Sequence, residues 1–427
     1  MSWFLNLIYL VVLFGLSPWL IWRMLRKGRY RRGRRAKLFG LSESLPAGAV
    51  WFHGVSVGEI HLLRQVVAAF RKRYPDLPCV ISTTTDTGFD EAHKCFPGLF
   101  VFPFPLDFSW AVRRTLRRLC PRLIVLAEAE LWPNFLMAAQ RQGVPIAVIN
   151  GRMSPRSLRR YQRLGPLPRW LFGKLDLLLM QTEHYARGVR ILGAHPERVH
   201  VTGTVKFDGV RLDRRNPDTH FLREMLEVKD GERIWIAGST QAPEEEIVLG
   251  IWQRLRIYHP TLRLFLVPRQ KDRFEEVAQL LERSGVAYAR RSSCADLGTP
   301  VVLVDTIGEL GALWGLAEVA FIGGSLDGRR GGQNMIDAAA FGAAVVFGPH
   351  VWNFAETAAR LIEAKGACQI ADAGQLETVL RLLLEDAAER QRLGTAARDF
   401  VLSQQGATEQ TVALLGELLE ARRLLAA

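Results

Sequence analysis

Residues 3–22 read WFLNLIYLVVLFGLSPWLIW, an apolar stretch interrupted only by Asn6, Ser17 and Pro18. About twenty such residues make a helix long enough to cross the hydrocarbon core of a bilayer. A cleaved leader would carry positive charge ahead of its apolar run and small residues after it, and this stretch has neither. A buried core helix would have to accommodate the dense run of cations that follows. The expectation is an uncleaved membrane anchor, with Trp3, Trp19 and Trp22 as interfacial aromatics.

From residue 49 the pattern changes to short apolar runs separated by stretches of helical period, such as 60–74 and 111–120. The runs at 49–52, 79–83, 123–127, 147–150, 177–180 and 200–203 predict strands. After a polar stretch at 206–218 the rhythm resumes with runs at 233–237, 262–267, 301–304, 319–322 and 344–347, and the chain closes in helical sequence from 373. Apolar runs alternating with helices predict parallel sheets covered on both faces. Two doubly wound α/β domains joined near residue 210 follow, with ligands expected beyond the carboxyl ends of the strands and in the cleft between the domains.

Charge adds a location. The chain of 427 residues has 56 Lys and Arg against 43 Asp and Glu, a net charge of +13. Nine of the cations (Arg23, Arg26, Lys27, Arg29, Arg31, Arg32, Arg34, Arg35, Lys37) directly follow the apolar stretch, and leaving them out brings the rest to about +4. Such a collar places the following domains on the cytoplasmic side and attracts anionic headgroups. The basicity is too local to indicate nucleic acid. Five scattered cysteines without CxxC spacing fit a reducing compartment, and the nine histidines show no metal-ligand spacing.

Candidate chemistry sits where the predicted strands end. His53-Gly54-Val55-Ser56-Val57-Gly58-Glu59 follows the first strand. There Glu59 either complements the dipole of the next helix or projects into the cleft as a general base. Glu128 and Glu130 directly follow the strand at 123–127, with Pro133 marking a helix start, and read either as a capping pair or as reactive carboxylates. Arg152, Arg156, Arg159, Arg160 and Arg163 form a second basic patch, either solvated helix charge or contacts for an anionic acceptor. In the second half, Gly238-Ser239-Thr240, Arg269-Gln270, Gly308-Glu309, Gly323-Gly324-Ser325 and Gly331-Gly332-Gln333-Asn334 combine glycine, hydroxyl groups and one arginine at consecutive strand ends. A nucleotide phosphate needs that set: close backbone approach, N–H donors and a cation. No Walker A or HExxH string occurs.

Taken in order, SVGE (56–59), AEAELWPN (127–134), NGRMS (150–154), GTVKFD (203–208), AGST (237–240), VPRQ (267–270), DTIGELG (305–311), GGS (323–325) and FGPH (347–350) resemble the Kdo (3-deoxy-D-manno-octulosonic acid) transferases of lipopolysaccharide assembly. The resemblance runs over roughly residues 48–420 and extends to the anchor and its collar. It implies a GT-B glycosyltransferase of two Rossmann-like domains, an acceptor domain at 41–209 and a nucleotide-sugar domain at 210–427, preceded by an anchor at 1–22 and a basic segment at 23–40. It implies transfer of Kdo from CMP-Kdo to the 6′-hydroxyl of a tetraacyl lipid A precursor, with inversion and without a metal or other cofactor. The location implied is the cytoplasmic face of the inner membrane, held by a single-pass anchor.

By the same resemblance Glu59 matches the family's general base and Glu130 an acidic residue important to the reaction. Ser239, Thr240, Arg269, Gln270, Gly308, Glu309, Asn334 and Asp337 fall at the CMP site, and Ser56, Gly58, Arg152 and Arg156 face the acceptor. The family usually reads GGHNPLEP where residues 331–338 read GGQNMIDA, so Gln333 stands for a histidine and Asp337 for a glutamate; Gln270 also stands for a histidine. Two rivals remain at this point: a transferase or epimerase of the same fold using another nucleotide sugar, and a membrane-tethered protein that only binds an anionic lipid or a nucleic acid.

Overall fold

The structure, a computed structural model, describes residues 2–27, 33–43, 48–128, 130–293 and 296–426. Arg29, Arg31 and Arg32 of the basic collar and Cys294 lie outside the described residues. The chain forms two compact units, Met1–Gly209 with Gln405–Ala427, and Val210–Gln404.

The first unit opens with the helix Ser2–Lys27, long and apolar enough over Ser2–Trp19 to cross a membrane. Pro18 offers no N–H, and the Phe14 carbonyl one turn back accepts instead from the Ser17 hydroxyl at 2.7 Å. Ser2 and Asn6 are buried and Tyr9 and Leu13 half-buried, so positions three or four apart form one stripe against the unit while most other described positions of the helix are exposed.

Seven parallel strands follow: Val50–His53 (β1), Cys79–Thr83 (β2), Phe100–Pro103 (β3), Leu123–Ala127 (β4), Ile146–Gly151 (β5), Leu177–Met180 (β6) and Val199–Val201 (β7), in the order β3-β2-β1-β4-β5-β6-β7. β1 and β4 are buried along their whole length because helices cover both faces of the sheet. Alternate side chains serve the two cores. Trp51 packs against Phe102, Phe104 and Phe135 with ring centroids 5.3, 5.7 and 5.3 Å away, whereas Phe52 meets Phe70 at 5.6 Å. The winding reverses between β1 and β4, so the loops after these two strands flank the switch point where α/β sheets hold ligands.

The second unit repeats the plan with Arg233–Thr240 (β8), Leu262–Pro268 (β9), Tyr288–Arg290 (β10), Val301–Leu303 (β11), Val319–Ile322 (β12), Ala344–Phe347 (β13) and Ala367–Gln369 (β14), in the order β10-β11-β9-β8-β12-β13-β14. Its switch point lies between β8 and β12. The final helix, Ala407–Ala426, packs on the helix Val57–Arg73 of the first unit, and the Asp208 carboxylate accepts from the amides of Gly406, at 2.7 Å, and Thr408. The sequence reading left residues 405–427 in the second domain; the apolar face of this helix is instead spent on the first.

Candidate functional site

Glu59 stands in the first turn of the helix Val57–Arg73. Ser56 caps that helix, its hydroxyl oxygen accepting from the Glu59 amide at 3.4 Å, and the Glu59 carboxylate reaches back to the Val55 amide at 2.8 Å and the Ser56 hydroxyl at 3.0 Å. The arrangement resembles a capping box, with the carboxylate returning to the amide one residue ahead of the cap. The carboxyl is nevertheless held above the usual carboxylate range: burial pushes it up, the two hydrogen bonds pull it down, and the charges of Glu128 and Glu130 push it up again. The loops after β1 and β4 thus bring three acidic side chains into electrostatic reach of one another.

Glu128 directly follows β4 with φ +64, a left-handed conformation that a non-glycine residue adopts only when its surroundings hold it there, and its amide is fixed to the Ile149 carbonyl at 3.1 Å. Glu130 accepts from the Trp132 indole N–H at 2.9 Å. Neither carboxylate caps the helix Pro133–Arg141. That role belongs to Asp107, which takes the Asn134 amide at 3.0 Å and the Phe135 amide at 2.8 Å. Burial pushes Asp107 up to about 6 against these bonds and one from the Tyr9 hydroxyl.

Cations complete the rim. Arg152 follows β5 and is exposed, as is Arg156 on the helix Pro155–Gln162. Lys206, in the short turn Val205–Phe207 after β7, is lowered by burial and by Arg152, with Glu128 opposing. Lys206 was not among the sequence candidates; its only signal was its place in the GTVKFD string. Gly58 is exposed, and a Cβ there would meet nothing nearer than the Ser56 hydroxyl at 3.9 Å, which leaves room for a ligand over the helix start.

In the second unit the sequence candidates divide into a connected group and separate ones. Ser239 has φ +57 where the β8–β9 register shifts, and Thr240 is fully buried with its hydroxyl unbonded among the described residues. The Arg269 amide bonds the Thr240 carbonyl at 3.0 Å, and the Arg269 guanidinium donates to the Gln333 side-chain oxygen at 3.2 Å, so the loops after β8, β9 and β12 are tied together. Gln270 is exposed beside Arg269. Asn334 accepts from the Ile336 amide and donates to Asp337, both at 3.0 Å; burial pushes Asp337 up to about 6, with Arg211 opposing. Gly308 has φ +98, and Glu309 is engaged by Arg291 at 2.7 Å and by the Thr306 hydroxyl rather than by any of these loops.

The glycine loop Gly323-Gly324-Ser325 departs from its expected role as a donor of free amides. The buried Glu244 carboxylate accepts from the amides of Gln241, Gly324, Ser325 and Leu326 at 3.0, 2.6, 2.8 and 3.1 Å. Here a carboxylate fills the nest that a phosphate would otherwise use. Among the described residues, His61, Glu91 and Cys95 alone bring metal-ligating atoms within 4.8 Å of one another, but His61 is exposed and the group lies on helices rather than at the strand ends.

Residues 26–209 match the family model described as 3-Deoxy-D-manno-octulosonic-acid transferase (kdotransferase). The chain is 36% identical over 434 residues to the 3-deoxy-D-manno-octulosonic acid transferase of Bordetella pertussis, covering 96% of this chain and 99% of that one. It is 31% identical over 396 residues to the protein of the same description from Haemophilus influenzae, covering 92% of each. Among solved structures, the UDP-GlcNAc 2-epimerase of Neisseria meningitidis bound to UDP-GlcNAc aligns over 86% of this chain and all of that one, with a TM-score of 0.62 at 12% identity, a likeness of fold alone.

Proposed function

From the premise that this chain belongs to the 3-deoxy-D-manno-octulosonic acid (Kdo) transferase family, with the GT-B fold and glycosyltransferase chemistry that membership carries, we propose that it transfers Kdo from CMP-Kdo to the 6′-hydroxyl of a tetraacyl lipid A precursor. The reaction inverts the anomeric centre and uses no metal or other cofactor. It takes place at the cytoplasmic face of the inner membrane, where the apolar N-terminal helix and basic collar hold the enzyme near its lipid acceptor.

The observation that carries this reading is the carboxyl of Glu59, half-buried at a sheet switch point with its proton affinity raised. A base needs such an affinity to take a proton from a sugar hydroxyl near neutral pH. The acceptor hydroxyl gives its proton to Glu59, its oxygen bonds the anomeric carbon of Kdo, and the bond from that carbon to the CMP phosphate breaks. CMP leaves with the electron pair, and Arg269, tethered through Gln333, meets its growing charge. Ser239, Thr240, Gln270, Gly308, Glu309, Asn334 and Asp337 surround the nucleotide. Glu130 holds the sugar beside Glu59, while Ser56, Gly58, Arg152 and Arg156 receive the acceptor and its phosphates. Lys206 joins them on the acceptor side.

The test is to incubate the purified enzyme with tetraacyl lipid A precursor and CMP-Kdo generated in situ, and to weigh the lipid. One or more added Kdo masses support the reading. A folded, CMP-binding protein that adds none refutes the choice of sugar or acceptor.

A further inference from the structure

We infer that the N-terminal helix lies in the plane of the membrane, locked to the first unit by hydrogen bonds, rather than crossing it; this rests on the membrane reading above. The helix is fastened near its start. The Asn6 side chain donates to the Ser109 hydroxyl at 2.8 Å and accepts from the Ser109 amide at 3.0 Å and the Asn134 side chain at 3.1 Å. One turn on, the Tyr9 hydroxyl donates to Asp107 at 2.9 Å, and the Tyr9 ring meets Phe108 edge-on at 6.1 Å.

The chain beyond the helix is fastened to the same unit. Gly33 lies against Pro103, where a Cβ would meet the ring at 2.5 Å. The Lys37 carbonyl accepts from the Leu106 amide at 2.8 Å, the Lys37 ammonium reaches the Thr84 carbonyl at 3.0 Å, and the Leu38 carbonyl accepts from Trp110 at 2.8 Å.

Chain length then decides the geometry. Upright, the helix would separate Asn6 from Lys27 by about 32 Å, enough to cross a hydrocarbon core about 30 Å thick. The six steps from Lys27 to Gly33 reach at most about 21 Å, so they cannot bring the chain back across. An upright helix with Lys27 on the domain side would carry Asn6 beyond reach of Ser109 and Asn134. Both ends therefore stay on one side.

The surface left over suits a single leaflet. Ser2, Asn6 and Tyr9 share the stripe turned toward the protein, whereas Trp3 and Phe14 are 85% and 84% exposed and Phe4, Leu7 and Val11 stand out beside them. Phe39, Leu106 and Trp110, also exposed, belong to the segments that hold the returning chain, and the cations of 23–37 adjoin them in sequence. An apolar face bordered by Lys and Arg matches an interfacial helix on anionic lipid. The lock also ends on the loop that matters: Asp107 and Asn134 form the start of the helix directly after Glu130, so insertion of the helix sets the height of that loop above the lipid.

The experiment uses the full chain with one cysteine in a short extension ahead of Met1, and a membrane-impermeant maleimide read by peptide mass analysis; exposed Cys120 marks the domain side. The expected result is that both cysteines react in inverted membrane vesicles and neither reacts from outside intact spheroplasts. Labelling of the N-terminal cysteine alone from outside spheroplasts would mean that the helix spans, and would overturn the proposal. A protein recovered in the soluble fraction would overturn the membrane reading itself. The double substitution Asn6→Leu and Tyr9→Phe keeps the helix apolar while opening the lock, and is expected to raise outside labelling of the N-terminal cysteine at least tenfold. No rise would remove these residues from the role of lock.

Discussion

The carboxylate of Glu59 accepts a hydrogen bond from the hydroxyl of Ser56 at 3.0 Å, so the group proposed as base also closes the cap of its own helix. Glu59→Gln keeps the shape but cannot accept a proton. It should lower transfer by about 10²–10⁴-fold and cost about 1 kcal/mol of stability from the weakened cap. Lipid mass analysis and thermal melting check both; substantial turnover in the variant would remove Glu59 from the role of base.

Removing the hydroxyl with Ser56→Ala takes away a bond that favours the charged carboxylate, so the proton affinity of Glu59 rises further. The acid limb of the kcat/KM profile should move to higher pH. A limb that stays in place would show that another group titrates in it.

Arg269→Ala removes the cation that links the loops after β9 and β12. The loss of one charge-assisted contact, about 1.5–3 kcal/mol, should weaken CMP binding by roughly 10–100-fold. Gln333→Ala leaves Arg269 charged but untethered and should have a smaller effect of the same sign. Calorimetric titration with CMP separates the two, and equal affinities in wild type and Arg269→Ala would exclude the assignment.

Glu244 should respond as a structural group. Glu244→Gln presents an N–H₂ to amides that now meet a carboxylate oxygen. Leaving a buried donor unsatisfied costs about 1–3 kcal/mol, to be seen as a lower midpoint of urea unfolding for the second unit. An unchanged midpoint would contradict the nest described for this carboxylate.

Asp337, pushed up to about 6 from an ordinary 3.8, binds its proton more tightly folded than unfolded. Stability from this group is therefore complete below about pH 4, falls as pH rises toward 6 and is flat above. Relative to Asp337→Asn, the wild type should lose stability between pH 4 and 6, measured as the difference in unfolding free energy. A difference independent of pH would refute the raised affinity.

The sheets were legible because their central strands are continuous apolar runs: LIVLA at β4 and VAFI at β12 have few other interpretations. The strands missed are β3, β10 and β14, and all three are sheet edges. An edge strand is covered less fully, so YAR at β10 and ACQ at β14 carry polar residues that dilute the pattern; at β3, Pro103 closes the run FVFP. Glu59 and Arg269 could be singled out because each closely follows a strand end, and Asn334 because it closes the glycine string Gly331-Gly332-Gln333-Asn334. Lys206, Asp107 and Glu244 could not, because their roles arise from neighbours 27 to 82 residues away in sequence or from burial alone.

The return of the helix Ala407–Ala426 to the helix that begins at Glu59 makes the second unit an insertion within the first. During synthesis the ribosome must therefore finish the whole second unit before the first can receive its last wall. A premature stop about twenty codons short would leave the later-made unit intact and strip support from the earlier one. Damage at the tail of the gene is thus expected to surface at its head.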